Sequence, residues 1–362
     1  MKHRRWFGFA CATAFLTGSI AMGCGSDTPS TTKTSTSSSS SSSTSSSSSS
    51  SSSGEGGMGG QGGGDACPTN EGLVLAVSEL YFGEGNSGEW KAFGYDLDGK
   101  ASTGNSKDLC MPNAGGDPQV SQPDGDNGND NSFGKNLLPL VLQLYPTWVN
   151  DINLGIDNGR FTAIVKMMCA PESGDAKSFD TKLLSGTTLG KPPLFDGTDV
   201  WPIEPGLLND PMDPESASVI FKGSSITGET YDAGKDVRFI ISVPVKTAMA
   251  STSIKLTLYS ARIKATFDPG RKTATSGMIG GVLDTEEFVA ELKKVGSLMN
   301  LCGNPLFDNL LKQVRQSSDI MVDGTQDPTK PCNGISMGLG FDLGPAQIGM
   351  VGPANPVGNA CQ

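Results

Sequence analysis

The chain's one histidine is His3, inside a leader that export would remove, so the mature protein has none. That excludes Ser-His-Asp and Cys-His catalysis and zinc held by imidazole. Phosphate loops are missing as well: neither G-x-x-x-x-G-K-[ST] nor a G-x-G-x-x-G between strand and helix occurs. No repeat of fixed period points to a propeller or solenoid. Positive charge is scarce. There are 27 Lys and Arg against 38 Asp and Glu, for a net −11, and losing Lys2, Arg4 and Arg5 with the leader leaves 24 against 38. Such a surface argues against nucleic acid and anionic lipid as partners and is compatible with a cationic ligand or a divalent metal. One catalytic pattern is present by letters, Gly334-Ile335-Ser336-Met337-Gly338, matching G-x-S-x-G. A nucleophile elbow needs a strand-to-helix turn and a downstream base. This one lies inside a strictly alternating strand pattern with no helix after it, so Ser336 is read as structural.

What is present begins with the leader. Lys2, Arg4 and Arg5 precede a mostly apolar run, 6–22, too short to span a bilayer comfortably. It ends Ile20-Ala21-Met22-Gly23-Cys24. This stretch resembles the lipobox of bacterial lipoproteins, which implies cleavage before Cys24 and acylation of that residue. Acyl chains on one residue hold a protein to a bilayer at roughly 0.8 kcal/mol per buried CH₂. Residue 25 is Gly rather than Asp, and in the lipoproteins it resembles this implies the outer membrane. With the tract that follows, the start of the chain is similar to surface lipoproteins of the myxobacterial type, a resemblance that carries no activity with it.

Residues 24–66 form a Ser/Thr- and then Gly-rich linker with too little apolar surface to offset its ordering entropy. Some 40 such residues span roughly 35 Å on average, enough to stand a domain clear of the membrane. Residues 67–362 read as a single β-rich domain. Its six cysteines, Cys67, Cys110, Cys169, Cys302, Cys332 and Cys361, have no CxxC spacing and suggest three disulfides out of fifteen possible pairings. Cys302 and Cys332 flank one helical segment and Cys67 and Cys361 bracket the domain, so those pairs are expected, with Cys110–Cys169 as the third.

Along the domain, residues 71–82 alternate as a strand, and 90–97 read as a second strand forming a hairpin with it. Residues 133–156 are the most apolar run, a two-part helix interrupted at Pro139 and Pro146, with Trp148 in the core. Residues 160–168 are a strand, and 171–215 are long loops with one or two short strands. Strand patterns follow at 217–222, 237–246, 253–267 and 273–283. Pro244 marks its strand as an edge, and a phase slip near Tyr259-Ser260 predicts a bulge. Asp284 and Asn304 cap two helices, the second with Pro305 at its first position. Residues 335–343 alternate strictly, and Gly338 and Gly340 leave room on one face for close approach of another segment. The fold class is therefore mainly β: an antiparallel, sandwich-like core with about three peripheral helical segments, stabilised by disulfides.

One stretch carries chemistry. Asp124, Asp126, Asn129 and Asp130 pack hard oxygens at short spacing among glycines, the ligand type calcium takes. It is no EF-hand, since Gly128 sits at the fifth position and no Glu at the twelfth. Asp96 and Asp98, at the hairpin end, can add to it. Calcium is thus the candidate cofactor, and no organic cofactor is indicated. The expected function is a membrane-anchored exported lipoprotein with a non-enzymatic ligand- or polymer-binding or structural envelope role. Its partners would be the bilayer through acylated Cys24 and envelope polysaccharide or protein. The alternatives are a carboxylate-dependent polysaccharide hydrolase and a calcium-stabilised surface scaffold.

Overall fold

The structure, a computed structural model, describes residues 72–85, 88–113, 122–234, 237–246 and 251–361. The leader, Cys24, the linker and Cys67 lie outside the described residues. The described residues belong to one compact unit, Gly64–Gln362.

Among the described residues, eleven strands and four helices make the domain. The strands are β1 (Gly72–Tyr81), β2 (Thr162–Met168), β3 (Ala176–Gly186), β4 (Val200–Ile203), β5 (Val219–Thr227), β6 (Thr230–Asp232), β7 (Val237–Lys246), β8 (Ser251–Phe267), β9 (Ala274–Asp284), β10 (Gly334–Pro345) and β11 (Gln347–Val351). The helices are α1 (Leu138–Leu144), α2 (Trp148–Asp157), α3 (Thr285–Leu298) and α4 (Pro305–Gln316). The strands form one sheet in the order β11-β4-β3-β2-β1-β10-β9-β8-β6-β5, antiparallel throughout except for β11 with β4. Because β3 also pairs with β5, eight strands from β3 round to β5 close on themselves, which leaves few free edges. Among the described residues β7 pairs only with β8, the edge position that Pro244 requires.

The alternating sequences explain the interior. On β10 the residues Ile335, Met337, Leu339, Phe341 and Leu343 are all buried, as are Leu75 and Val77 on β1 and Leu258, Ile263 and Phe267 on β8. They share one hydrophobic core with Phe133, Leu137, Leu138, Val149, Ile152 and Ile156 from the apolar helical run and with Phe288, Phe307, Leu311 and Val314 from α3 and α4. Trp148 packs on Phe82 with ring centroids 5.0 Å apart. The helical run is split as its prolines demand: a π-helical turn at Phe133–Leu137 leads into α1, and α2 begins after Pro146. The predicted bulge on β8 falls between Tyr259 and Arg262, with Ser260 at φ 50°. Asp284 caps α3 by accepting from the N–H of Glu286 and Glu287, and Asn304 caps α4 through Leu306 N–H.

Two expectations are corrected. Residues 90–97 do not form a hairpin with β1, whose neighbours are β2 and β10. Glu89–Ala92 is a 3-10 turn, and Gly88 and Gly94 take φ of 109° and 114°, which breaks extended pairing. The segment instead lies across β10. A Cβ on Gly338 would stand 2.4 Å from Gly94 N, and one on Gly340 2.5 Å from the Phe93 ring, so the two glycines admit it as their spacing suggested.

The disulfide pairing is the second correction. The bonds are Cys110–Cys332 and Cys302–Cys361, and Cys169 is also disulfide-bonded. Neither Cys302–Cys332, Cys67–Cys361 nor Cys110–Cys169 forms. Proximity along the chain misled because two irregular segments return from far away. Residues 108–113 run beside 330–333, with Met111 N–H on Lys330 O at 2.8 Å and Cys332 N–H on Met111 O at 2.7 Å. The C-terminal tail comes back along α3, where Cys361 N–H meets Lys293 O at 3.1 Å.

Candidate cation centre

The segment that crosses β10 brings acids with it. Carboxylate oxygens of Asp96, Asp98 and Asp130 all lie within 4.8 Å of one another. Asp124 lies against Asp130 and shares a hydrogen bond with it. Asp319, just past α4, is close enough to act electrostatically on Asp130. Three separate parts of the chain thus converge: 96–98, 124–130 and 319.

Each acid is aimed by its own loop. Asp96 accepts from Gly99 N–H at 2.7 Å and Asp98 from Lys100 N–H at 2.8 Å, the Asx turns that Asp-Leu-Asp-Gly favours. Asp130 accepts from Leu97 N–H at 2.7 Å, and its own N–H bonds Tyr95 O at 3.0 Å. Asp124 accepts from Ser102 N–H. Asn131, next in the chain, clamps the segment to the sheet: its Oδ1 accepts from Gly338 N–H at 3.1 Å and Gly134 N–H at 2.9 Å. Asp319 accepts from Ser336 Oγ at 2.5 Å and Ser336 N–H at 2.8 Å, and Ser336 Oγ accepts in turn from Ser132 N–H at 2.8 Å. Ser336 is fully buried in the middle of β10, so its G-x-S-x-G setting is a strand and its hydroxyl a cross-link. Gln326 completes the surround, donating to Asp98 Oδ2 at 2.8 Å and to Asp319 O at 3.0 Å while accepting from Cys110 N–H at 2.8 Å.

The charge balance is lopsided. Among the described residues, no Lys or Arg forms an ion pair with any of these five aspartates. Arg262 turns its guanidinium to the backbone, to Asp96 O at 2.8 Å, and Lys135, over the Trp90 ring at 5.8 Å, is near enough to interact with Asp319 and Asp124 without pairing with either. Burial pushes the Asp130 carboxyl well above the usual carboxylate range, and the negative charges of Asp319 and Asp98 push it further. Burial raises Asp124 too, against the hydrogen bond from Ser102. Asp319 is pushed up to about 7, again mainly by burial, although Ser336 favours its ionised form. Without a cation, Asp130, Asp124 and Asp319 therefore keep their protons to a higher pH than ordinary carboxyls do.

Ser102 closes one side of Asp124: the residue is 8% exposed, and its N–H and its buried hydroxyl both favour the ionised form of that carboxylate. The donor set is all hard oxygen. Oxygens facing each other across calcium, bound at about 2.3–2.6 Å, stand up to roughly 5 Å apart, which suits these separations.

Of the four residues singled out in the sequence, Asp130 belongs to this group and Asp124 adjoins it. Asp126 is exposed in a 3-10 turn, and the Asn129 amide bonds Lys91 O at 3.2 Å. No protein-family model, curated protein or solved structure matches the chain.

Proposed function

We propose that this protein is an exported lipoprotein, anchored by acylated Cys24, whose domain is a calcium-braced scaffold serving a structural or ligand-presenting role at the outer envelope. The observation that carries the reading is the convergence of the Asp96, Asp98 and Asp130 carboxylates, with Asp124 and Asp319 acting on Asp130 from beside them and none of the five in an ion pair among the described residues. Disulfides point to an oxidising, extracytoplasmic compartment. Free calcium is abundant outside cells, where modules binding at about 10⁻⁴–10⁻³ M are filled. The ion here would lock the 96–102 loop, the 122–131 loop and the 319–326 loop to one strand, so its role is to fix architecture. The hydrolase reading has less support. Its two acids must stand in a cleft, whereas Asp130 is 2% exposed, Asp96 and Asp98 are committed to N–H groups of their own turns, Asp124 to Ser102 N–H and Asp319 to Ser336.

The test is thermal unfolding of the mature chain with calcium, with magnesium and with chelator. A melting temperature several degrees higher in calcium, and lost in Asp98→Asn and Asp130→Asn, supports the reading. A melting temperature indifferent to calcium and chelator overturns it. Radiolabelled palmitate incorporation, abolished by Cys24→Ser, tests the anchor separately.

A further inference from the structure

A second feature lies away from the aspartates, where the C-terminal tail crosses the open side of β7 and β8. A cavity of about 290 Å³ there is lined by Glu204, Gly206, Ser242, Ser253, Lys255 and Asn355, with small apolar surface from Pro205, Ala354 and Val357. This is near the lower end of ligand pockets, about 300–1,000 Å³, and suits one compact molecule.

Glu204 sits at its base. It follows β4, which fixes its backbone through an N–H bond to Ser185 O at 2.8 Å. The residue is only 5% exposed. Oε1 accepts one long bond, 3.3 Å, from Asn355 N–H. Oε2 stands over Gly206, where a Cβ would come within 2.8 Å, so the glycine keeps the space beside the carboxylate open. No Lys or Arg pairs with Glu204 among the described residues. Buried carboxylates are ordinarily paired or well hydrogen-bonded, and this one has room for a cationic partner. The polar groups around it are oriented: Asn355 Nδ2 donates to Ser242 Oγ at 3.1 Å, and Ser253 Oγ donates to Pro356 O at 3.2 Å. Lys255 lines the same cavity from an exposed position and makes no ion pair among the described residues. One wall is the tail itself, held by Gly358 N–H on Thr252 Oγ1 at 2.9 Å and by the Cys302–Cys361 bond.

We infer that this cavity binds a small zwitterion, a free amino acid with a compact side chain, with its ammonium group on Glu204 and its carboxylate towards Lys255. An ammonium supplies the partner that Glu204 lacks, and the opposite charges at base and rim reject simple amines and simple acids relative to a molecule carrying both. The inference does not rest on the calcium reading.

The experiment uses the calcium-saturated mature chain and titrates it with glycine, L-alanine, ethylamine and propionate, followed by NMR line shifts and calorimetry. L-alanine or glycine should bind, ethylamine more weakly, and propionate not measurably. Glu204→Gln should weaken L-alanine by about ten- to a hundredfold, the range for a hydrogen bond to a charged group. Lys255→Met should weaken L-alanine while leaving ethylamine unchanged. Gly206→Ala, which fills the space over the carboxylate and keeps its charge, should also abolish binding, and an unchanged melting temperature in any variant rules out unfolding as the cause. Propionate binding as well as L-alanine, no binding of either amino acid, or unaltered L-alanine affinity in both Glu204→Gln and Gly206→Ala overturns the inference.

Discussion

The Cys110–Cys332 and Cys302–Cys361 disulfides offer the sharpest test of how the aspartate centre is held, because they should separate stability from cation affinity. Cys110–Cys332 closes a sequence separation of 222 residues and Cys302–Cys361 one of 59. Loop-closure entropy alone gives about 5 kcal/mol for the first and about 4 kcal/mol for the second, upper figures because other cross-links remain in each variant. Global stability should therefore fall by similar amounts in Cys110→Ser/Cys332→Ser and Cys302→Ser/Cys361→Ser. Their effect on calcium should differ. Cys110 N–H bonds Gln326, and Gln326 bonds Asp98, so the first bond holds the turn that presents Asp98 and Ser102. If even two residues of that turn lose their order, fixing them again on binding costs about 2–4 kcal/mol. That is a fall in affinity of roughly thirty- to a thousandfold. The second bond pins the tail to the α3–α4 turn and should leave calcium affinity unchanged. Denaturant unfolding in chelator gives the stabilities, and calcium titration by calorimetry gives the affinities. Equal calcium affinity in both variants, or an equal loss in both, would refute the claim that the first staple orders the centre.

Other consequences can be checked on single variants. In chelator, stability should fall as pH rises from about 4 through 7 and above: the raised carboxyls of Asp130, Asp124 and Asp319 keep protons in the fold that the unfolded chain has released. Saturating calcium should flatten that slope, which melting curves at pH 5 and pH 8 would show. Asp130→Asn should be neutral or stabilising at pH 8 in chelator, since the amide oxygen can still accept from Leu97 N–H, yet it should lose most of the calcium response. Gly338→Ala should cost about 1–3 kcal/mol, because its Cβ meets Gly94 backbone that cannot rotate away; a neutral result in urea unfolding would mean the 93–131 segment is not seated as described. Ser336→Ala should cost about 1–3 kcal/mol by leaving Ser132 N–H and Asp319 short of a partner.

Much of the fold was legible because alternation and caps are local signals. The strict pattern of 335–343, the Pro244 edge, the slip at Tyr259-Ser260 and the caps at Asp284 and Asn304 all reappear. What escaped depended on distant partners. β3 reads as loop because Lys177, Asp180 and Lys182 interrupt it, although Phe179, Thr181 and Leu183 face inward in phase. The disulfide pairs join segments that only the closed sheet brings together. At the centre, the density of Asp and Asn at 124–131 was visible, and so were Asp96 and Asp98 as contributors. Asp319 gave no signal, since it follows α4 in an ordinary Ser-Ser-Asp-Ile and acquires its place from Ser336.

The position of the aspartates follows from what the described stretches 88–113 and 122–131 lack. They supply few large apolar residues, and the cluster beneath Tyr95 and Leu97 is small, Val282 and Ile320. Irregular segments that long cannot be ordered by so little buried area, given about 1–2 kcal/mol of backbone entropy per fixed residue. They are held by polar cross-links and a disulfide: Asn131 on Gly338, Asp130 on Leu97, Gln326 on Asp98 and Cys110 on Cys332. Yet the same links crowd five acids that form no ion pair among the described residues and have only Lys135 acting on Asp319 and Asp124, which is destabilising unless protons or a cation intervene. Protons serve at low pH and fail as pH rises. A divalent ion serves throughout, and it also bridges segments that hydrogen bonds join only pairwise. If calcium neither stabilises the chain nor binds, the acids must be held by protons alone, and the protein should then be most stable near pH 4–5 whatever its calcium supply.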